Sequence, residues 1–255
     1  MNTETLKTIA VSLVLGVLYL MVMMLGVGMG LVVLNAQISP NFVWFPIPAT
    51  AVLVGTMIWA QRRWDIGLSH PANVPWGRIY VIGTALTVLG IATAIVQGKY
   101  TGYVRQTELF NIDVSPLFQL SYAVFMSVFA AVVAEAAFRG LCQSRMQKVL
   151  SVWPTVLIIG FVNVIAHRWG PEILQNWLGL FVTLAGWTYL RWLSRSLWPP
   201  LILHAVTNLI VAVLLWFNGP FVQADLPNAT VIIISVVGLV ALAVAAVQAR
   251  GMRTT

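Results

Sequence analysis

Residues 230–248 read TVIIISVVGLVALAVAAVQ, nineteen positions without a single charge. A bilayer's hydrocarbon core needs about 20 apolar residues in a helix, so this stretch is long enough to cross it. Working outward, runs of the same kind recur at 8–34, 43–60, 79–97, 117–138, 152–167, 173–190 and 200–217. Across all 255 residues, 60% are hydrophobic and 8% are charged, whereas a soluble domain carries about 25% charged residues. Lipid must therefore be the solvent for most of the chain. In lipid every backbone N–H and C=O needs an internal partner, which leaves helices or closed barrels. The runs are continuous and do not alternate, which selects helices. The expectation is an all-α integral membrane protein of about eight transmembrane helices, with residues 1–255 as a single polytopic domain.

Charge orients the spans. With the N-terminus inside, cytoplasmic segments carry Lys7, Arg62, Arg63, Arg78, Arg139, Arg145, Lys148, Arg191, Arg195, Arg250 and Arg253, while outer loops carry Lys99, Arg105 and Arg168. Eleven against three obeys the positive-inside rule only if the count is even, so both termini are expected in the cytoplasm. The net charge of +7 is scattered over these loops, an argument against a nucleic-acid partner. Trp44, Trp59, Trp64, Trp153, Trp169, Trp192, Trp198 and Trp216 fall near span ends, where amphipathic rings prefer to sit. Gly26, Gly28 and Gly30 suggest close helix approach in the first span. That span is too long for a signal-peptide core and is expected to be retained. Cys142, the one cysteine, excludes an internal disulfide. Beside Arg139 and Arg145 it reads as a free thiol in a basic loop facing a reducing cytoplasm.

Polar side chains in lipid need a reason, and here they concentrate in three spans. Glu135 and Arg139 lie four apart, as do His204 and Asn208, so each pair shares a helix face. Asn163 lies one turn before His167. A Glu–Arg pair near a helix end is often plain structure, His167 beside Arg168 can be an interfacial anchor, and His204 with Asn208 can be interhelical glue. Together they supply a carboxylate, an imidazole and a donor pair. That inventory suits hydrolysis, with a base to take a proton from water and donors to hold an oxyanion.

These strings resemble the CPBP intramembrane proteases, the family that includes the CAAX prenyl-protein proteases and bacteriocin-related Abi proteins. Its pattern is Glu-Glu-x-x-x-Arg, then Phe-x-x-x-His, then His-x-x-x-Asn. The corresponding stretches are 134–140, AEAAFRG; 163–167, NVIAH; and 204–208, HAVTN. Order and helix placement match over about residues 117–217, the expected core. Two positions depart: Ala134 stands where the motif has its first Glu, and Asn163 where it has Phe. The resemblance implies that the first Glu is the water-activating base, working with His167. It gives Glu135 and Arg139 the shaping of the carboxylate site, and His204 and Asn208 the oxyanion.

The resulting expectation is an intramembrane endopeptidase acting on membrane-associated or lipidated, including prenylated, protein or peptide substrates, with membrane lipid as its surroundings. Ala134 makes an inactive or rewired form part of that expectation. Zinc is possible in principle, with two His and a Glu, but no metal is favoured, because the histidines lack a short-spaced motif. The rivals are a non-catalytic scaffold or bacteriocin-immunity protein on the same fold and, more weakly, a proton-relay transporter, against which stands the lack of a repeated polar half. The compact loops point to a bacterial cytoplasmic membrane. With straight spans, Glu135 and His204 would lie toward the cytoplasmic side and His167 toward the outside. Span four is therefore expected to continue past Arg139 toward Lys148, which buries Glu135 more deeply.

Overall fold

A computed structural model of the chain describes residues 2–33, 46–105, 116–167, 172–219, 221–250 and 252. Eight helices run through them: α1, Thr3–Val33; α2, Pro46–Trp64; α3, Trp76–Thr101; α4, Pro116–Met146; α5, Val152–His167; α6, Glu172–Ser194; α7, Trp198–Asn218; and α8, Asn228–Arg250. Each coincides with one expected span. Thr3–Gly26 of α1, together with α3, α4, α7 and α8, is long and apolar enough to cross a membrane; α5 is apolar but shorter. Among α6's polar residues Asn176, Thr188, Arg191 and Ser194 are buried in protein, so a low overall hydropathy there does not put polar groups into lipid. Trp44, Arg168, Trp169 and Arg253 lie outside the described residues, as do the surroundings of Gly28, Gly30 and the Arg105 side chain.

The described residues divide into two compact units. The first comprises 1–68, 106–149 and 204–219; the second comprises 69–105, 150–203 and 220–255. In the first, α1 packs on the second half of α4. A Cβ on Gly16 would meet Cys142 Sγ and the carbonyl of Ala137, so glycine is what permits this approach. Gly26, by contrast, has nothing among the described residues within contact distance of such a Cβ, so the close approach expected there is not found among them. The outward face of α1 exposes Val14, Leu18, Val22 and Leu25, apolar surface suited to lipid.

In the second unit α3 is the central helix, packed by α6 and α8. Ile79, Ile82, Ala85, Leu190, Ala241 and Ala245 form its apolar centre. The Trp187 indole donates to Thr87 Oγ1 at 2.9 Å, so a buried polar pair is satisfied internally, as low-dielectric surroundings require. α8 is one-sided: Val231, Gly238, Ala241 and Ala245 are buried, while Ile232, Val236, Val240 and Val247 are exposed. The stretch that decided the fold from sequence thus lays small residues on protein and branched ones toward lipid. A two-residue antiparallel ribbon, β1 (Val104–Arg105) with β2 (Phe221–Val222), interrupts the otherwise helical design. Lys99 Nζ, expected in a loop, lies in the last turn of α3 and donates to the Ala224 carbonyl beside this ribbon at 2.7 Å.

Two loop assignments are corrected in α4. Arg139 is fully buried and paired, not a cytoplasmic loop charge; removing it from the eleven leaves ten, so the bias stands. Cys142 is buried within the helix, its thiol donating to the Ser12 carbonyl at 3.0 Å, and is not a loop thiol facing solvent. Both follow from one cause. The helix does not stop at Phe138 but runs on to Met146, as the depth argument required, through a π-helical segment, Ala136–Cys142. Arg191 is likewise buried, in the last turn of α6.

Candidate active site

The chemistry of the first unit is built on the end of regular α-helix in α4. Glu135 is the last α-helical residue before the π segment. Its neighbours Ala134, Ala136 and Ala137 are small and buried, and small side chains let other helices come close to the carboxylate. In the π segment the Gln143 N–H reaches back five residues to the Phe138 carbonyl. Such wider turns are rare and occur often at functional positions. Gly140 belongs to this turn, and a Cβ there would lie 3.1 Å from Ile66 Cβ, which explains the small residue.

Glu135 and Arg139 have no exposed surface. Arg139 Nη1 donates to Glu135 Oε1 at 3.0 Å, the expected pairing across one turn. His204 Nδ1 lies 2.8 Å from the same oxygen, and His204 is also buried. A carboxylate paired with a guanidinium accepts hydrogen bonds and donates none. Nδ1 of His204 therefore carries a hydrogen, and Nε2 is the nitrogen whose state remains to be set by chemistry. Among the described residues, the buried Glu135 Oε2 has no hydrogen-bond partner. Both donors thus converge on one carboxylate oxygen and leave the other uncompensated, an arrangement that costs about 1–3 kcal/mol.

α7 positions His204 and, one turn on, Asn208. Asn208 Nδ2 donates to the backbone carbonyl of Ser127, on α4 two turns before Glu135, at 3.3 Å. The Ser127 hydroxyl itself donates to the Ala123 carbonyl at 2.7 Å. His204 and Asn208 share a helix face as their spacing demands, but in this structure each meets a different acceptor on α4. Sequence reading missed Ser127; its signal was the eight-residue step to Glu135, which places both on one face.

His167 belongs to the second unit. It is exposed at the end of α5, and its Nδ1 lies 3.1 Å from Oδ1 of Asn163. Asn163 is fully buried, with Nδ2 lacking a hydrogen-bond partner among the described residues. The four-residue spacing of this pair was legible; that the amide is the partner of the imidazole was not.

Glu135 and His204 offer two metal-ligating side chains, and among the described residues no three His, Cys, Asp or Glu gather as a metal set.

Residues 116–210 match the family model described as Type II CAAX prenyl endopeptidase Rce1-like. No curated protein and no solved structure matches the chain. The matched stretch begins with α4 and includes residues Glu135, Arg139, His167, His204 and Asn208. Over residues 116–210, then, this helical membrane protein is similar to the Rce1-like type II CAAX prenyl endopeptidases.

Proposed function

We propose that this chain is a CAAX-protease-type intramembrane peptidase of a bacterial cytoplasmic membrane, with both ends cytoplasmic. Its substrate is a membrane-associated or prenylated peptide, which the chain binds but hydrolyses slowly or not at all. The observation that carries the proposal is the commitment of Glu135 Oε1 to both Arg139 and His204 in a fully buried setting. In support, the motif's Glu135 and Arg139 are paired and bound to His204, while Ala134, at the position of the motif's base, ends in a methyl group.

The division of labour follows from the donors and acceptors. Glu135 holds His204 through Nδ1, and the role in substrate binding is assigned to Nε2. A protonated Nε2 and the second hydrogen of the Asn208 amide are donors for a developing oxyanion, and donors already oriented need no reorganisation when charge appears. The motif gives His167 the task of taking a proton from water. Without a carboxylate at position 134 that step lacks its second acceptor.

The test is hydrolysis of a farnesylated peptide by the full chain in lipid nanodiscs. Ala134→Glu is expected to raise turnover by about 10²–10⁴, the usual range of general-base assistance, and His204→Ala in that background to abolish it. Robust turnover by the unaltered chain, lost on Glu135→Gln, would make Glu135 itself the base and overturn the division above. No turnover by any version would favour the non-catalytic scaffold, the reading that Ala134 supports. For orientation, a reporter fused after Thr255 should be active only in its cytoplasmic form, and an external signal would refute the even span count.

A further inference from the structure

Asn163 is the one position in the three motifs where this chain places a polar side chain in exchange for an apolar one. It is fully buried on α5, and the residues buried beside it on the same helix, Ile159, Gly160 and Val164, are apolar. A leucine or phenylalanine would bury there with no polar group to satisfy. The amide instead leaves Nδ2 without a hydrogen-bond partner among the described residues, so their packing does not explain it. Its oxygen, however, lies 3.1 Å from Nδ1 of His167, one turn on. His167 is exposed at the helix end, where an imidazole that served only as an interfacial anchor could be solvated and would not require a buried amide.

We propose that Asn163 is a positioning residue for His167: its side-chain oxygen holds the imidazole in the tautomer with hydrogen on Nδ1, which puts the lone pair on Nε2 as the proton acceptor. An amide oxygen can only accept, and which ring nitrogen carries the proton is set by the bond the other nitrogen makes. The pair lies within one helix, so its geometry is fixed by the α-helical repeat. A base must have its lone pair on the nitrogen that faces the water, and an imidazole in the wrong tautomer fails at this step even when correctly placed. The catalytic use of that lone pair rests on the peptidase reading; the tautomer itself does not.

The chain has three histidines, His70, His167 and His204, so nitrogen NMR of the ¹⁵N-histidine-labelled full-length protein in nanodiscs can be assigned with His70→Asn and His167→Gln. At a pH where the rings are neutral, His167 is expected to carry its hydrogen on Nδ1. Asn163→Leu should make the Nε2–H form the major one, and Asn163→Asp, which keeps an acceptor at the same place, should restore Nδ1–H. An Nε2–H form in the unaltered protein overturns the proposal, as does Nδ1–H persisting in Asn163→Leu. The unaltered protein decides the first point even if the leucine variant does not fold. In the Ala134→Glu background, Asn163→Leu should lower kcat about tenfold or more with little change in KM, and Asn163→Asp should recover part of it. Absence of cleavage in every version, with the tautomer as stated, would sink the peptidase reading and leave the positioning of His167 standing.

Discussion

His204 and His167 are both held at Nδ1 by an oxygen, but the two settings differ in kind. His204 meets an ionic partner on another helix, 69 residues away in sequence, where carboxylate, guanidinium and imidazole are all buried. His167 meets a neutral amide one turn back on its own helix and is itself exposed. The difference shows how burial dictates chemistry. A charge withdrawn from water has to be matched within the protein, so Glu135 cannot exist at its site without Arg139, and the pair then serves as a fixed support for His204. An exposed imidazole needs no such support, so a buried amide spent on it points to orientation and not to solvation.

A graded series of substitutions would sharpen or break this contrast, read as equilibrium unfolding in a fixed detergent or lipid. Arg139→Ala should have the largest effect, a loss of about 3–5 kcal/mol, because it strands a buried carboxylate; a loss under about 1 kcal/mol would mean that Glu135 is not charged in the folded chain. His204→Ala removes one hydrogen bond to that carboxylate and should cost about 1.5–3 kcal/mol. Asn163→Leu should lie within about 1 kcal/mol of the unaltered protein, or slightly above it, because it removes the unpartnered Nδ2 together with a single hydrogen bond. If Asn163→Leu proves as damaging as Arg139→Ala, the amide is a structural keystone and the two histidine settings are alike after all.

The same burial logic explains which expectations needed correction. A boundary after Phe138 was drawn from sequence because Arg139 begins a run of basic residues that includes Arg145 and Lys148. Hydropathy registers a charge but not its partner, so an arginine neutralised one turn away reads as a loop. The π turn that carries Arg139 and Cys142 inward leaves no trace in apolar periodicity either. In α1 the close approach occurs at Gly16, a lone glycine, and not at Gly26 of the glycine-rich stretch. Which glycine matters depends on what packs against it, and that lies more than a hundred residues along the chain.

The sequence by itself determined the solvent, the helical class, the eight helix positions and the spacing that puts Glu135 with Arg139 and His204 with Asn208 on common faces. These are local quantities, set by apolar run length and the 3.6-residue repeat. Only the tertiary structure decided that Glu135 and His204 share one oxygen, that Asn208 reaches the carbonyl of Ser127, that Cys142 is sealed against α1 by a bond to Ser12, and that α4 carries a π turn. Each of these depends on which helix faces which. In a chain whose apolar surfaces are nearly uniform, that choice is made by the few small residues and buried polar atoms that must find one another, and no local pattern records their partners.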